Sequence, residues 1–191
     1  MPRIDPKKAI PPQAQRVFKG VIYDVYHWQQ EMFNGTQETF ERLKRPDTVE
    51  VIAVVGDRIL LQEQQQPTTD VFLSLPGGRV DQEDDALIAA KRELLEESGY
   101  ESDAWLSRGG FAPASHISFT VHSFIARDCR KVEEPHLDAG EKISYRHISF
   151  DEFLLLSEND DFQHQELRIF LALCRLDPEK RENFRKLLFR R

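Results

Sequence analysis

The sequence predicts an α+β or α/β/α fold, in which a small antiparallel β-sheet precedes a larger sheet covered by helices. Short apolar runs rich in β-branched residues alternate with helical patterns of different lengths, which is typical of sheets covered by helices. The chain has 191 residues, of which 40% are hydrophobic and 31% charged, as expected of a domain that buries its own core. We predict three parts: an arm with a small sheet at 1–45, a main domain at 46–176 and a basic helix at 177–191.

The N-terminal part combines an extended arm with strands. Four prolines within residues 1–16 disfavour regular structure there. Residues 17–26 are rich in β-formers, and Asn34-Gly35 is a turn signal typical of hairpins. We therefore expect a small antiparallel sheet ahead of the main domain.

The main domain begins with strands and a well-defined helix. Apolar runs predict strands at 48–55, 58–62, 71–75, 117–126 and 142–148. Helical spacing predicts a helix over 86–98, with Leu87, Ala90 and Leu94 facing inward. Gly99 then stands where a glycine commonly ends a helix.

Two further helices and a basic tail close the chain. Ser149 and Glu152 have the spacing of a capping box, which predicts a short helix to residue 156. A longer helix is predicted at 167–176, before Pro178. The tail at 180–191 is basic with interspersed apolar residues, which predicts a helix packed on the domain; the alternative is contact with a membrane surface or nucleic acid.

Composition excludes several classes of partner. The net charge of −7 disfavours binding to duplex nucleic acid, which requires neutralised phosphates. Cys129 and Cys174 form no C-x-x-C pair, so a disulfide framework and a zinc ribbon are not expected. No signal peptide and no apolar run of membrane-spanning length is visible. We expect a cytoplasmic protein without nucleic-acid or membrane partners.

The most informative segment places three carboxylates on one helix. Glu93 lies three residues before Glu96 and four before Glu97, so all three can project toward one region. Like charges at this spacing repel each other and call for neutralisation. Hard divalent cations prefer carboxylate oxygens. The alternative is a solvated acidic helix face with Arg92 as its local partner.

The residues around these glutamates resemble the Nudix box. In the box a glycine is followed after five residues by a glutamate, and here Gly78 is followed after five residues by Asp84. Seven residues later the box has arginine, glutamate and an aliphatic residue, and then a pair of glutamates. The matching residues are Arg92, Glu93, Leu94, Glu96, Glu97 and Gly99. Two identities depart from the family pattern, since Asp84 replaces a glutamate and Tyr100 replaces an aliphatic residue. The chain is therefore identified as a member of the Nudix hydrolases, which implies an α/β/α sandwich with a mixed sheet.

This resemblance implies a metal centre and a reaction class. Glu93, Glu96 and Glu97 correspond to ligands of Mg²⁺, for which Mn²⁺ can substitute, and the Gly77 carbonyl resembles a further metal contact. Arg92 corresponds to a residue that orients these carboxylates. Together they imply Mg²⁺-dependent cleavage of a diphosphate bond, with Arg92 and Glu97 counted among the catalytic residues.

Outside the box the chain resembles the ADP-ribose and nucleotide-sugar pyrophosphatase branch. Residues 60–67 resemble a strand of that branch, although Gln66 replaces its usual arginine. Residues 40–45 resemble a segment that stacks on the nucleobase and reads its edge. The substrate-binding candidates are therefore Trp28, Phe40, Glu41, Arg45 and Pro113.

Two of these candidates have explicit alternatives. The branch commonly exchanges its N-terminal sheet between the subunits of a homodimer, so the resemblance implies a homodimer in which Trp28 could stack on the base from the other subunit. The alternative is that Trp28 and Phe40 simply pack the small sheet. Pro113 stands slightly early relative to a Pro-Gly pair of the branch and lacks the glycine.

The catalytic base is expected in a loop before a late strand. Glu141 immediately precedes the strand at 142–148 and corresponds best to the loop glutamate of the branch. Some relatives carry a second glutamate where this chain has Ala139. Glu133 and Glu134 are weaker candidates, and the alternative for Glu141 is an exposed loop carboxylate.

The leading functional hypothesis is hydrolysis of an ADP-ribose-like nucleoside diphosphate sugar to a nucleoside monophosphate and a sugar phosphate. The enzymatic alternative is a house-cleaning pyrophosphatase of nucleoside triphosphates. A third hypothesis is a Nudix-fold sensor that binds a nucleotide without cleaving it.

Overall fold

Two main β-sheets organise the chain in the computed structural model, which describes residues 10–81, 84–113, 116–137 and 139–189. Within those ranges the strands are β1 (Gln15–Lys19), β2 (Asp24–Glu31), β3 (Gln37–Lys44), β4 (Thr48–Val55), β5 (Arg58–Gln65), β6 (Phe72–Ser74), β7 (Tyr100–Glu101), β8 (Ala104–Phe111), β9 (Ile117–Ser118), β10 (Val121–Arg127), β11 (Arg130–Lys131) and β12 (Lys142–Ile148). The helices are α1 (Ala86–Ser98), α2 (Phe150–Leu155), α3 (Gln165–Leu176) and α4 (Pro178–Phe189).

The small sheet has the order β1-β2-β3-β9. Its first three strands are antiparallel, as predicted, and Gly35 adopts a positive φ of 83° in the turn between β2 and β3. The short β9 then pairs with β3 in parallel, so the main domain contributes one strand to this sheet. Residues 1–9 of the predicted arm lie outside the described residues.

The larger sheet has the order β12-β5-β4-β10-β8, with β6 paired to β5. It is mixed because β10 runs parallel to β4, whereas β5 and β12 are antiparallel. The single strand predicted at 117–126 is wrong: the chain leaves the small sheet at Ser118 and enters the large one at Val121. Residue alternation continues through both strands, so the pattern alone does not reveal the change of sheet.

Helix α1 has the bounds that the sequence predicts. The Asp85 side chain accepts a hydrogen bond from the Ile88 N–H at its start, and Gly99 ends it in the left-handed conformation with φ 72°. Ala90 and Leu94 are buried as expected, whereas Leu87 is only half-buried. Glu97 near the end of the helix is also buried, which the helical pattern did not indicate.

Helices cover both faces of the larger sheet. On β4, Val49, Val51 and Ala53 belong to a core shared with α1, while Ile52 and Val54 belong to a core shared with α2, α3 and α4. A strand buried on both faces reads as a nearly continuous apolar run, which explains the composition of residues 48–55. The α/β/α sandwich with a mixed sheet is thus confirmed.

The C-terminal helices close one of these cores. The Ser149–Glu152 capping box is formed at the start of α2. Pro178 opens α4, whose Phe184 and Leu188 are buried in the domain. The basic tail therefore packs on the domain, and residues 190–191 of the predicted helix lie outside the described residues. No helix in the described ranges is both long and apolar enough to cross a membrane.

Candidate active site

A cavity of about 560 Å³ lies beside the N-terminal side of β4, between α1, the loop after β6 and the loop before β12. Its wall includes six of the sequence-predicted positions: Gly77, Arg92, Glu93, Glu96, Glu97 and Glu141. The structure therefore brings the box helix and the later loop together at one place. Additional polar wall residues are Gln64, Gln66, Gln163 and His164.

Glu97 lies deepest among these carboxylates, with 6% of its surface exposed. Its Oε2 accepts hydrogen bonds from the Gly77 N–H at 2.8 Å and from the Gln62 side-chain amide at 3.1 Å. Burial raises the pKa of Glu97 to about 8, the negative charges of Glu93 and Glu141 add to the rise, and the two hydrogen bonds oppose it. The site therefore favours a neutralising cation or proton at this carboxylate.

The amide of Gln62 is itself oriented by buried neighbours. Its Oε1 accepts hydrogen bonds from the Ser74 hydroxyl at 3.1 Å and from the Gln64 amide at 3.4 Å. The opposite end of the amide must then present its N–H groups to Glu97. Sequence analysis missed Gln62, although Gln62 and Gln64 lie two residues apart on β5 and thus share one face of the strand.

Arg92 holds the two more accessible glutamates. Its Nη1 donates to Glu93 at 2.9 Å and to Glu96 at 3.0 Å, and its Nη2 donates to the Arg79 carbonyl at 3.0 Å. Burial alone would lower the pKa of Arg92, but the carboxylates of Glu93 and Glu96 raise it. Asp84 lies 3.6 Å from Arg92 Nε, so this shorter replacement of the box glutamate still reaches the arginine.

Close packing explains the two glycines that begin the box. A Cβ on Gly77 would lie 2.2 Å from the Val49 carbonyl oxygen, and a Cβ on Gly78 would lie 2.4 Å from the Glu93 carboxylate. At Gly77 a side chain does not fit, because the atom that it would meet belongs to the backbone of β4. At Gly78 a side chain would fit only if the Glu93 carboxylate moved away.

Glu141 faces the same carboxylates from the opposite loop. It lines the cavity, and its charge contributes to raising the pKa values of Glu93 and Glu97, for both of which burial is the largest cause. By contrast, Glu134 accepts hydrogen bonds from Lys131 at 2.9 Å, and Glu133 lies 3.8 Å from His136. Neither Glu133 nor Glu134 is among the described residues that line the cavity.

Four substrate-binding candidates lie on the small sheet and do not line the acidic cavity of their own protomer. Trp28 is 8% exposed and packs 5.8 Å from the ring of Phe40, its direct partner across β2 and β3. Glu41 pairs with His27 at 2.8 Å, and the Arg45 guanidinium lies over the Phe119 ring at 4.8 Å. Phe40 remains 40% exposed.

Pro113, the fifth candidate, lines a depression of about 280 Å³ beside the acidic cavity. The two spaces share Thr48, Val49, Gln163 and His164 as wall residues. A ligand longer than a diphosphate could therefore extend from the carboxylates toward Pro113.

The donor atoms of the acidic cavity fit a hard cation. All of its acidic side chains offer oxygen ligands, and the buried Glu97 lies in surroundings that disfavour an isolated negative charge. Within the described ranges, no three His, Cys, Asp or Glu side chains already converge as a ligand set. This is compatible with Mg²⁺, which typically binds one or two carboxylates and completes its shell with water and substrate phosphates.

A buried polar group near the cavity was also missed from the sequence. Glu50 on β4 is 3% exposed and accepts a hydrogen bond from His164 at 2.7 Å. Burial by itself would raise the pKa of Glu50, but His164, Ser123 and Arg108 together hold it below the usual value. Glu50 stands inside an apolar run, and that interruption was the available signal.

The chain is similar to several known proteins. Residues 44–171 match the family model described as NUDIX domain. An ADP-ribose pyrophosphatase of Bacillus subtilis (strain 168) is 28% identical over 154 residues, which cover 76% of this chain and 80% of that protein. A methanol dehydrogenase activator of Bacillus methanolicus is 25% identical over 147 residues, covering 74% and 79%.

The fold also has a counterpart among solved structures. The crystal structure of an ADP compounds hydrolase superposes with a TM-score of 0.70 at 22% identity, covering 84% of this chain and 90% of that one. At this identity the likeness concerns the fold.

Proposed function

The chain belongs to the NUDIX domain family of hydrolases, and from this premise we propose that it cleaves the diphosphate bond of an ADP-ribose-like nucleoside diphosphate sugar. The products are a nucleoside monophosphate and a sugar phosphate. The observation that carries the proposal is the cavity in which the box glutamates face Glu141. Similarity over 76% of the chain to an ADP-ribose pyrophosphatase supports the substrate class.

We propose Mg²⁺ as the cofactor, with Mn²⁺ as a substitute. Glu93, Glu96 and Glu97 are the proposed side-chain ligands, and the Gly77 carbonyl is the proposed backbone ligand. When bound, the cation neutralises diphosphate charge and lowers the pKa of the attacking water. The oxygen atoms of these proposed ligands support this choice, because Mg²⁺ prefers carboxylate and carbonyl oxygens.

The residues of the chain divide the remaining tasks. Arg92 orients Glu93 and Glu96 through its two hydrogen bonds. Gln62 and the Gly77 N–H hold one oxygen of Glu97 in place. Glu141 accepts a proton as water attacks phosphorus; a water-oxygen bond to phosphorus forms, and the bond to the bridging oxygen breaks.

The role of Glu141 gives a first expected result. Glu141→Gln should lower kcat by about 10²- to 10⁴-fold, the usual contribution of a general base, because the amide cannot accept the proton. The Michaelis constant should change little. Steady-state kinetics on ADP-ribose would measure both.

Glu134→Gln is the matched control, since it removes a carboxylate that lies outside the cavity wall and pairs with Lys131. Its kcat should stay near that of the unaltered protein. A large loss in Glu134→Gln with normal turnover in Glu141→Gln would reverse the assignment.

We also propose that two copies form a homodimer through the small sheet. A single protomer exposes an unusual set of apolar side chains in this region: Val17, Phe18, Val21, Ile22, Tyr23, Phe33 and Phe40. A second copy would remove such surface from water. It would also bring the base-binding candidates of one protomer near the cavity of the other.

Phe40 and Trp28 allow this arrangement to be tested. Phe40→Ala should raise the Michaelis constant for ADP-ribose by roughly tenfold, the equivalent of one base stacked on an aromatic ring, with little change in kcat. Trp28→Ala removes a buried ring and should lower the melting temperature more than Phe40→Ala does. Steady-state kinetics would measure the Michaelis constant and kcat, thermal unfolding the melting temperature, and light scattering the oligomeric state.

An unchanged Michaelis constant in Phe40→Ala would assign the Phe40 ring to packing of the small sheet, and an unchanged constant in Trp28→Ala would do the same for Trp28. A monomer by light scattering would rule out base binding across a homodimer.

A substrate panel tests the function itself. With Mg²⁺ present, ADP-ribose and related nucleoside diphosphate sugars should be hydrolysed faster than nucleoside triphosphates. Turnover confined to triphosphates would replace the proposal with a triphosphate pyrophosphatase. Binding of ADP-ribose without metal-dependent turnover would replace it with a sensor.

A further inference from the structure

His164 lies at a junction between the acidic cavity, its neighbouring depression and α3. It lines both spaces and stands immediately before α3. A histidine in the wall of a hydrolytic cavity suggests proton transfer as its role. Its hydrogen bonds indicate a different one.

Both ring nitrogens of His164 are engaged by the protein. Nδ1 lies 2.7 Å from Glu50 Oε2, and Nε2 lies 2.9 Å from the backbone nitrogen of Leu75. A backbone N–H can only donate, so Nε2 must be the unprotonated acceptor. The proton of the neutral ring therefore stands on Nδ1, which donates to the Glu50 carboxylate.

Glu50 is well placed to select this tautomer. It is nearly inaccessible to solvent on β4, and the Arg108 guanidinium lies 4.0 Å from its Oε1. Arg108 also donates to the Ser123 hydroxyl at 3.0 Å. The carboxylate thus has a cationic neighbour at Oε1, and its Oε2 is left to accept from the imidazole ring and orient it.

The backbone that His164 holds leads directly into the glycine turn. Leu75 is 2% exposed, and the following Pro76 has no N–H. The Pro76 carbonyl accepts from the Val51 N–H at 2.8 Å, and the Gly77 N–H donates to Glu97 at 2.8 Å. The turn is therefore anchored to β4, to α1 and, through Leu75, to His164.

We propose that His164, oriented by Glu50, is a positioning residue that sets the place of the Leu75–Gly77 turn relative to Glu97. The proposal rests on the proposed function for its catalytic consequence. Because each ring nitrogen already has a partner, His164 does not take the proton of the reaction. Its contribution passes through the Leu75 N–H to Gly77, whose N–H donates to Glu97 and whose carbonyl is the proposed backbone ligand.

Two substitutions separate the two hydrogen bonds. His164→Gln can place an amide oxygen near the position of Nε2 and so accept from Leu75. His164→Asn can place an amide N–H near the position of Nδ1 for Glu50, but it is too short to reach Leu75. We expect His164→Asn to lower kcat by about 10- to 100-fold, the usual effect of losing a group that orients a metal ligand.

His164→Gln should retain kcat within about fivefold, and the Michaelis constant should change little in either variant. This order, with glutamine rescuing and asparagine failing, supports the proposal. Equal losses in both folded variants, normal turnover in both, or the reverse order would overturn it.

A second measurement needs neither metal nor substrate. Amide hydrogen exchange at Leu75 should be slow in the unaltered protein and in His164→Gln, and at least about tenfold faster in His164→Asn. ¹⁵N NMR of the imidazole in the unaltered protein should show the neutral ring protonated at Nδ1. A ring protonated at Nε2, or equal exchange at Leu75 in all three proteins, would overturn the anchor even if a variant failed to fold.

These measurements also separate the two proposals. If no nucleoside diphosphate sugar is hydrolysed, the proposed function fails, while exchange at Leu75 and the ring tautomer still decide whether His164 holds the turn.

Discussion

Glu97→Gln is expected to lower kcat on the order of 10³-fold, because it removes a charged metal ligand from a buried position. The variant should nevertheless fold, and in metal-free buffer near pH 8 it should be more stable than the unaltered protein. The amide keeps a similar shape and one oxygen for the Gly77 N–H, but it carries no charge into the buried site.

The stability difference depends on pH in a defined direction. Burial raises the pKa of Glu97 from its ordinary 4.5 to about 8 in the folded protein. Between those values the folded state binds more protons than the unfolded state, so stability without metal is fully present below about pH 4.5 and falls as pH rises through 8. Glu97→Gln removes this decline. Its free energy of unfolding near pH 8 should therefore exceed that of the unaltered protein by about 1–3 kcal/mol.

Chemical unfolding in EDTA at several pH values would measure this gain. Added Mg²⁺ should stabilise the unaltered protein, increasingly so at higher pH, and should have little effect on Glu97→Gln. Glu96→Gln is the matched comparison for stability. The Glu96 side chain is 47% exposed, so replacing its charge relieves no cost of burial and should not stabilise the protein. Normal turnover by well-folded Glu97→Gln would contradict the ligand assignment.

Gly77→Ala is expected to reduce kcat by at least about 100-fold, comparable to losing a principal stabilising contact in an active site. The added Cβ would lie 2.2 Å from the Val49 carbonyl oxygen, which belongs to the backbone of β4 and cannot rotate away. The turn must then move, and the hydrogen bond from Gly77 to Glu97 must lengthen or break. Steady-state kinetics should show the loss of turnover, and Mg²⁺ titration should show weaker Mg²⁺ binding.

Gly140→Ala provides a steric control in another loop of the same region. Its Cβ would meet nothing closer than Pro67, at 3.8 Å, which is ordinary contact. Turnover should change far less than in Gly77→Ala. Equal activity of Gly77→Ala and the unaltered protein would show that the turn tolerates displacement and would remove it from the proposed metal site.

Local features of the fold were predictable because their causes are local. Hydrogen bonds within α1 join residues four apart, its start is capped by Asp85, and its end requires a left-handed residue that Gly99 supplies. The box spacing likewise places Glu93, Glu96 and Glu97 on one side of that helix. The bounds of α1 and the convergence of the glutamates could therefore be read from neighbouring residues.

Strand partners were less accessible to sequence reasoning. The two-residue alternation states which side chains share a face but not which strand lies alongside. The split between β9 and β10 was missed for this reason. Strand β8 was missed because Gly109 and Gly110 interrupt its pattern, and Gly109 has a φ of 95° where the pairing of β8 with β10 shifts register.

The sequence by itself determined the family, the layered fold and the identity of the acidic cluster, since all three depend on spacing along one helix and on local apolar patterns. The tertiary structure alone decided that Glu97 is buried, because its cover comes from Gln62 and Gly77 on other elements. It also decided that His164 meets Glu50, 114 residues away. Such contacts arise when distant segments pack into one core, and no local periodicity encodes them.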